Sequence, residues 1–273
     1  MKKIEIAGKN FLLGSKIIDL SNRGIKVIPD LSAFKSLKEL DLSNNSIGKI
    51  NEFGASAKLE KLDLSNNLIK KIENLSGFTS LKELTLSGNL INRIENLDKL
   101  LQLEFLDIED NEITKINSLP KNVCELFLSG NQVREIPDLT YCKKIYKLII
   151  ENNNISVLSF DGLPKNLLIL FLNGNKIKKI KKPTVHHNYL EDISMNGNPL
   201  KKLEWIEQLP KLTHILIDGK NLKEISMATY EFILNKQNPK KGRQDEFFFW
   251  TSPTTTTRMI DKFVNQNKKI KIT

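Results

Sequence analysis

Histidines, cysteines and paired carboxylates are the residues of this chain that could do chemistry, and they are few and scattered. The chain has three histidines and two cysteines. His186 and His187 are adjacent, whereas Cys124 and Cys142 have no histidine or second cysteine near them in sequence. A metal site or an activated thiol needs several such side chains that converge. We therefore expect His186 and His187 to be exposed on a loop, and Cys142 to be a buried small apolar residue.

Enzyme motifs with a fixed spacing are absent from the sequence. It contains no Gly-rich phosphate-binding loop, no His-Glu-x-x-His and no Cys-x-x-Cys. The neighbouring carboxylates Glu109 and Asp110 fit contacts with a partner better than acid–base catalysis. We predict that the chain is not an enzyme, has no catalytic residue and binds no metal or cofactor.

The overall composition points first to a polyanionic partner. The 273 residues include 42 Lys and Arg against 32 Asp and Glu, a formal net charge of +10. Such a balance suggests a nucleic acid or an anionic membrane surface. The chain has no apolar run long enough for a transmembrane helix, and residues 1–6 lack the apolar stretch of a signal peptide. Two cysteines fit a reducing compartment and exclude a disulfide-rich scaffold.

A repeated pattern of leucines, which we call the leucine frame, organises most of the chain. The frame is Leu-x-x-Leu-x-Leu-x-x-Asn-x-Ile-x-x-Ile; it begins at Leu37 and again at Leu59. Its Asn position falls at residues 23, 45, 67, 89, 111, 131, 153, 175, 198 and 220, with Arg23 and Lys220 in the outermost copies. Ten copies at intervals of 20 to 23 residues indicate a repeat architecture.

Each part of the frame predicts a local structure. The Leu-x-Leu portion alternates with period two, which predicts a short strand with one buried face. The Asn amide can bond to backbone groups that the following turn leaves unpaired, so stacked Asn side chains form a ladder. Apolar pairs three residues apart, such as Leu31 and Phe34 or Leu75 and Phe78, predict short helical or 3₁₀ turns on the outer side. One repeat cannot bury both faces, so stability comes from stacking.

This frame resembles the leucine-rich-repeat family over residues 15–225. Its 22-residue period is similar to that of phosphatase-1 regulators and internalins. The segments Leu119-Pro120-Lys121-Asn122 and Leu163-Pro164-Lys165-Asn166 resemble repeat openings of injected bacterial effectors. The resemblance implies an α/β fold, namely a leucine-rich-repeat solenoid (horseshoe) of about ten repeats with a parallel concave sheet and terminal caps. It also implies a protein partner bound on the concave side of the sheet.

We call the predicted solvent-facing side of these strands the strand face. It comprises the residues six, four, two and one positions before the Asn position of each repeat, forty residues in all. Twelve of them are acidic and two are lysines, so the strand face carries −10 and the remaining residues carry +20. The partner of this face is therefore predicted to be basic.

Two kinds of side chain form the predicted partner-binding site on the strand face. The charged members are Asp19, Glu39, Asp41, Asp63, Glu83, Asp107, Glu109, Glu151 and His214. The apolar members are Phe105, Phe127, Ile149, Ile169 and Phe171. Apolar side chains on a solvent-facing strand indicate that a partner covers them. We expect a protein with basic and apolar surface; the alternative is that the aromatic run 247–250 folds back over them.

Positive charge is concentrated between the paired apolar residues that follow each Asn position. These basic residues are Lys26, Lys49, Lys70, Lys71, Arg93, Lys115, Arg134, Lys178, Lys179, Lys201, Lys202 and Lys223. Solvated lysines keep a solenoid soluble; the alternative is an anionic contact along this edge. Because no aromatic residue is interleaved in this column, base stacking is disfavoured. We expect neither a nucleic acid nor an anionic membrane as partner except along this edge, and no small-molecule substrate.

The ends of the chain depart from the frame. Residues 1–14 are predicted to be an N-terminal cap, 15–225 the solenoid, and 226–273 a C-terminal helical cap or small appended module. Ser226 is placed to N-cap a helix that runs to Leu234. Ser252-Pro253 is placed to open a last helix containing Met259 and Val264.

The predicted function is non-enzymatic binding of a protein partner by a monomer. The resemblance implies a bacterial effector that acts on a host protein, cytoplasmic or delivered into the host cytosol. The alternatives are a cytoplasmic regulatory subunit of a phosphatase-like enzyme, or an effector with activity in residues 226–273. The cysteine ubiquitin-ligase domain that follows the repeats in some effectors is not expected, because residues 226–273 contain no cysteine.

Overall fold

The leucine frame of each repeat folds into a three-residue strand, a tight turn and an outer segment. The computed structural model describes residues 3–54, 57–117, 119–217, 221–236, 248–250 and 271–273, the backbone alone for 248–250. Two compact units make up the chain, Met1–Gln132 (the first unit) and Val133–Thr273 (the second unit).

The first unit has six parallel strands on its strand face. They are Ile17–Asp19, Glu39–Asp41, Lys61–Asp63, Glu83–Thr85, Phe105–Asp107 and Glu125–Phe127. Their central residues, Leu40, Leu62, Leu84 and Leu106 among them, lie opposite one another and are at most 1% exposed. Two short outer strands, Arg93–Ile94 and Lys115–Ile116, also pair in parallel. Stacking of identical repeats thus buries one continuous apolar column.

An antiparallel hairpin covers the first repeat. Its strands are Lys3–Ile6 and Lys9–Leu12. Phe11 is buried, and its ring meets that of Phe34 edge to face with centroids 6.4 Å apart. Lys9 Nζ lies 3.2 Å from a carboxylate oxygen of Asp19. The hairpin therefore closes the apolar end that an unpaired terminal repeat would leave open.

The second unit repeats the same plan. Its strand-face strands are Lys147–Ile149, Ile169–Phe171, Asp192–Ser194, His214–Leu216 and Phe248–Trp250. Its outer strands are Val157–Leu158, Lys179–Ile180, Lys202–Leu203, Glu224–Ile225 and Lys271–Ile272. All the pairings among these strands are parallel.

The outer segments are turns and short 3₁₀ pieces. The N–H of Phe34 donates to the carbonyl of Leu31, and that of Phe78 to Leu75, each at 3.0 Å. These i to i+3 bonds follow from the three-residue spacing of the buried side chains. One 3₁₀ helix is assigned, Ile206–Gln208, and Met227–Lys236 is the only α-helix of the described residues.

The segment after residue 225 adds both a helix and strands. The helix Met227–Lys236 begins after Ser226, whose hydroxyl accepts the N–H of Thr229 at 3.3 Å, as the sequence predicts. Phe248–Trp250 pairs with His214–Leu216, so the aromatic run extends the sheet at its edge and its backbone does not lie across the strand face. The predicted helix after Ser252-Pro253 lies outside the described residues.

A ladder of buried asparagines closes each turn. Asn89 Oδ1 accepts the N–H of Ile69, and its Nδ2 donates to the carbonyls of Leu64 and Leu86, all at 3.0 Å. Asn175 makes the same bonds in the second unit at 2.9 to 3.0 Å. The buried members are Asn67, Asn89, Asn111 and Asn131 in the first unit and Asn153, Asn175 and Asn198 in the second. Each side chain satisfies backbone groups of two successive repeats.

The residue directly before each ladder asparagine has a left-handed backbone. Its φ lies between 50° and 70° in nine repeats, and only Asn, Asp and Gly occupy the position. Other side chains rarely adopt this conformation. At Gly130 a Cβ would also lie 2.1 Å from Asp110 Oδ1 of the preceding repeat. The sequence pattern assigned this position to the solvent-facing side of the strand. The structure shows that the left-handed backbone of the turn restricts its residue type.

The aspartates four residues before the ladder position also close this turn. Asp41 Oδ1 accepts the N–H of Ser43 at 2.8 Å, and Asp107 Oδ1 that of Glu109 at 3.0 Å. At Asp19 the N–H and hydroxyl of Ser21, with Lys9, lower the carboxyl pKa to about 2. At Asp107 burial raises the pKa above its usual value, and the nearby Glu109 and Asp63 carboxylates add to this effect.

Replacement of Asn89 by Ala should destabilise the protein by about 3 kcal/mol, because three buried backbone groups lose their partner. Urea denaturation of the full chain measures the change. Asn92→Ala is the matched control: residue 92 is exposed, so its replacement should alter the free energy of unfolding by less than about 0.5 kcal/mol. Equal losses for the two variants would contradict the ladder.

Asp19→Asn and Asp107→Asn should change stability in opposite directions at neutral pH. The folded pKa of Asp19 is depressed, so its carboxylate stabilises the fold above pH 3.8 and that contribution fades as the pH falls towards about 2. The folded pKa of Asp107 is raised, so its charge costs stability at neutral pH and the cost fades as the carboxyl protonates. The urea midpoint at pH 7 should fall for Asp19→Asn and rise for Asp107→Asn. Shifts of the same sign would refute this account.

Candidate protein-binding face

Two rows of side chains run along the strand face of the first unit. Paired strands place one row as Ile17, Glu39, Lys61, Glu83, Phe105 and Glu125. The other row is Asp19, Asp41, Asp63, Thr85, Asp107 and Phe127. Neighbours in a row are one strand spacing apart, about 4.8 Å. The parallel sheet therefore brings the first-unit residues predicted from the sequence onto one surface, with Glu109 in the turn beyond Asp107.

Opposite charges alternate in the first row. Lys61 Nζ lies 2.6 Å from Glu83 Oε2, and this bond raises the Lys61 pKa, with smaller contributions from Glu39 and Asp63. Glu60, the residue before Lys61, forms ion pairs with Lys38 and with Lys82, the latter at 3.0 Å. The glutamates Glu39 and Glu83 are thus partly neutralised by residues of their own surface.

The second row, which we call the aspartate row after Asp19, Asp41, Asp63 and Asp107, is less neutralised by lysines than the first. Lys9 pairs with Asp19, but within the described residues no ion pair reaches Asp41, Asp63 or Asp107. Each uses its Oδ1 for the turn, and the Asp107 carboxylate also has a hydrogen bond with the Ser87 side chain. On Asp41 and Asp63 the second carboxylate oxygen can therefore accept a hydrogen bond from a cationic group of a partner.

An aromatic pair adjoins the aspartate row. The rings of Phe105 and Phe127 have centroids 5.2 Å apart and are tilted by 41°. Both residues keep part of their surface exposed. Their strands are adjacent and in register, Phe105 opposite Glu125 and Asp107 opposite Phe127. Partly exposed aromatic rings beside a charged row form the mixed surface that protein interfaces commonly use.

The strand face of the second unit is less charged and more internally bonded. Asn173 Nδ2 donates to Glu151 Oε1 at 2.5 Å, and Asn173 Oδ1 accepts the hydroxyl of Ser194 at 2.5 Å. His214 Nδ1 lies 2.5 Å from Asp192 Oδ1 and 2.9 Å from the hydroxyl of Thr213. Glu151, Asn173 and Ser194 thus already have hydrogen-bond partners within the protein, and Asp192 lies against the His214 ring.

The apolar members of the second unit differ in exposure. Ile169 and Phe171 are partly exposed, in line with expectation. Ile149 is only 9% exposed, so it is a buried residue and not the exposed contact predicted from the sequence. It lies opposite Phe171, a ring on the adjacent strand of the same side. Large neighbours on a strand face shield a β-branched side chain in this way.

The slot two residues before the ladder position is buried in two repeats. Ser43 and Ser65 are 7% and 8% exposed. The sequence frame assigned this slot to solvent, but there the chain already bends into the turn closed by the aspartate and asparagine side chains.

His187 contradicts the expectation of an exposed loop. It is 1% exposed and lies 6.0 Å, centroid to centroid, from the Phe160 ring. Asp161 Oδ1 accepts the N–H groups of Thr184 and Val185, which turns the connecting segment inward. Burial lowers the His187 pKa. Its neighbour His186 is exposed.

The cysteines and the possible metal ligands do not form a reactive cluster within the described residues. Cys142 is fully buried, as predicted, and Cys124 donates its thiol to the carbonyl of Asn122 at 3.4 Å. The described part of the chain contains no group of three or more His, Cys, Asp and Glu side chains that could hold a metal ion. Within the same ranges, no helix has the length and apolar character needed to cross a bilayer.

The sequence and fold are similar to known repeat proteins. The leucine-rich-repeat family model matches residues 16–69 and 36–91. No curated protein sequence matches the chain. The functional domain of InlJ from Listeria monocytogenes has a TM-score of 0.64 with 21% identity, over 86% of this chain and 53% of that one. This chain therefore spans about half of that structure.

Two further solved structures share the fold. Internalin C2 of Listeria monocytogenes str. 4b F2365 has a TM-score of 0.55 and 27% identity, over 61% of this chain and 73% of its own. TLR13, solved in complex with ssRNA13, has a TM-score of 0.63 and 25% identity, over 71% of this chain and 33% of its own. The family match over residues 16–91, the parallel strands and these structural likenesses agree: the chain has the leucine-rich-repeat fold.

Proposed function

We propose that this chain is a non-enzymatic module that binds a protein partner through its strand face. The leucine-rich-repeat fold is typically a protein–protein interaction module. In this chain the observation that carries the proposal is the row of Asp41, Asp63 and Asp107 next to the Phe105–Phe127 pair. Charge and apolar surface lie side by side on one rigid sheet.

The charge distribution favours the first unit as the main contact. Its twenty-four strand-face positions contain nine acidic residues and one lysine, whereas the sixteen of the second unit contain three acidic residues and one lysine. In the second unit Glu151 also accepts a hydrogen bond from Asn173, and Asp192 lies against the His214 ring. A partner drawn to the aspartate row therefore presents several Lys or Arg side chains.

The aromatic pair defines the rest of the partner. Phe105 and Phe127 offer partly exposed rings that gain stability when an apolar or planar cationic side chain covers them. The best-fitting partner carries basic residues next to an apolar side chain. Such central apolar anchors with a charged surround are typical of binding hot spots. We further propose that the chain acts as a monomer and that Phe171 and Ile169 extend the contact on the second unit.

The proposed setting is that of a bacterial effector that acts on a host protein in the cytosol. The likeness to two Listeria monocytogenes proteins supports it. The effector-like segments support it too: Asn122 and Asn166 donate to carbonyls of the preceding repeat at 2.6 Å and 3.0 Å, so both segments are regular parts of the stack.

Selection of displayed peptides against the full chain should enrich sequences with Lys or Arg next to an aromatic or aliphatic residue. The double variant Phe105→Glu, Phe127→Thr should bind them at least about 10-fold more weakly. Glu83 occupies the row position of Phe105 one repeat earlier, and Thr85 that of Phe127 two repeats earlier, so the fold tolerates both replacements. Asp41→Asn with Asp63→Asn keeps the turn acceptors, and should weaken binding and reduce its salt dependence.

Lys49→Glu with Arg93→Glu changes the outer edge and serves as the matched control, with affinity expected to stay within about 3-fold of wild type, since neither residue lies on the strand face. Peptides that bind the aspartate and phenylalanine variants as tightly as wild type would refute the proposed surface.

Capture from a host-cell lysate tests the proposed setting. The wild-type chain should retain a host protein that the Phe105→Glu, Phe127→Thr variant loses, because the same anchor side chains are required. Quantitative mass spectrometry of the two eluates gives the comparison. Identical protein sets in both eluates would contradict a host partner on this face.

A further inference from the structure

A tryptophan with a left-handed backbone lies on the outer edge of the second unit. Trp205 has φ 69° and ψ 9° and no side-chain cap bond. Two of the corresponding residues in the first unit are Asn74 and Asn96, each with φ 59°, and each donates Nδ2 to a carbonyl of the preceding repeat at 2.7 Å. Asn tolerates this conformation, whereas a bulky side chain is strained in it. Strain of this kind is a pointer to function.

Lysines surround this tryptophan. Lys182 holds the same position one repeat earlier, and its Nζ lies 5.4 Å from the Trp205 ring centroid. We call the lysines of these outer slots the basic edge, namely Lys178, Lys179, Lys181, Lys201, Lys202 and Lys223. All except Lys202 are exposed, and Lys202 alone among the six forms an ion pair with a described residue, Glu204, at 3.2 Å. The edge is therefore rich in uncompensated positive charge.

In the next repeat, an exposed apolar side chain occupies the position equivalent to that of Trp205. Leu203 pairs with Ile225 on adjacent outer strands, and Trp205 and Met227 each follow two residues later. Met227 is 50% exposed. Trp205 is partly exposed. The edge thus presents an amphipathic aromatic ring and an apolar side chain beside several cations.

We propose that the basic edge, with Trp205 and Met227, docks on an anionic lipid surface. Exposed lysines from three successive repeats can reach a common plane, and each lysine near an anionic bilayer adds attraction. A tryptophan ring prefers the headgroup level, with its N–H in water and its body against lipid. Met227 is placed to enter the acyl boundary next to it.

A single-stranded nucleic acid fits this edge less well. Such ligands need aromatic faces on which successive bases stack. Lys182 already occupies one face of Trp205, and no second aromatic residue takes the place of Lys182 or Met227 in the neighbouring repeats. The exposed Met227 side chain has no counterpart in a polyanionic strand. The basic edge is also separate from the strand face, so this proposal does not depend on the proposed protein partner.

Co-sedimentation of the full chain with vesicles tests the proposal. Vesicles of phosphatidylcholine with about 30 mol% phosphatidylserine should bind the chain, and those of phosphatidylcholine alone should not. Lys178→Glu with Lys179→Glu should weaken binding about 30-fold or more. Trp205→Asn should weaken it about 10-fold. Because Asn74 and Asn96 adopt the same left-handed backbone at this position in two first-unit repeats, the Trp205→Asn variant should melt at the same or a higher temperature.

Lys70→Glu with Lys71→Glu is the matched control, since these adjacent lysines occupy the same slots of a first-unit repeat that has Asn74 in place of the tryptophan. It should change binding by less than about 3-fold. No preference for phosphatidylserine, an equal loss in this control, or unchanged vesicle binding by Trp205→Asn would each overturn the proposal. So would tighter binding of a mixed-sequence single-stranded RNA than of the vesicles.

Discussion

The buried asparagine at the end of each strand is the interaction on which the rest of each unit depends. A short strand followed by a tight turn leaves backbone N–H and carbonyl groups inside the stack, where water cannot reach them. Asn89 satisfies one donor and two acceptors in two successive repeats, and Asn175 does the same in the second unit. The aspartate turn and the left-handed residue before each asparagine give this side chain its position.

Because the ladder and the leucine column provide the stability, the outward side chains are free to carry specificity. The first unit uses this freedom for an aspartate row and a pair of phenylalanines. The second unit fills the same slots with an internally bonded network and concentrates lysines on its outer edge. The net charge of +10 is therefore a sum of surfaces of opposite sign, and each surface suits a different kind of partner.

Features set by the repeat period could be predicted from the sequence, whereas features set by contacts across repeats could not. The leucine frame predicts the strands and the buried Cys142, and Ser226 as an N-cap predicts the helix that begins after it. Burial of His187 depends on Asp161, which binds the connecting segment from more than twenty residues away. The left-handed position did leave a signal, since it contains only Asn, Asp and Gly. The aspartate turns left one too, in the recurrent Asp two residues before Ser.

Carboxyl footprinting of the complex with a selected basic peptide tests the central claim most directly. Carbodiimide-mediated labelling followed by mass spectrometry reports the accessibility of each acidic side chain. The account predicts that Asp41, Asp63 and Glu109 lose labelling when the peptide binds, while the exposed Glu112, beyond the strand face, keeps it. Unchanged labelling of all three, or protection centred on Glu112, would contradict binding through the strand face.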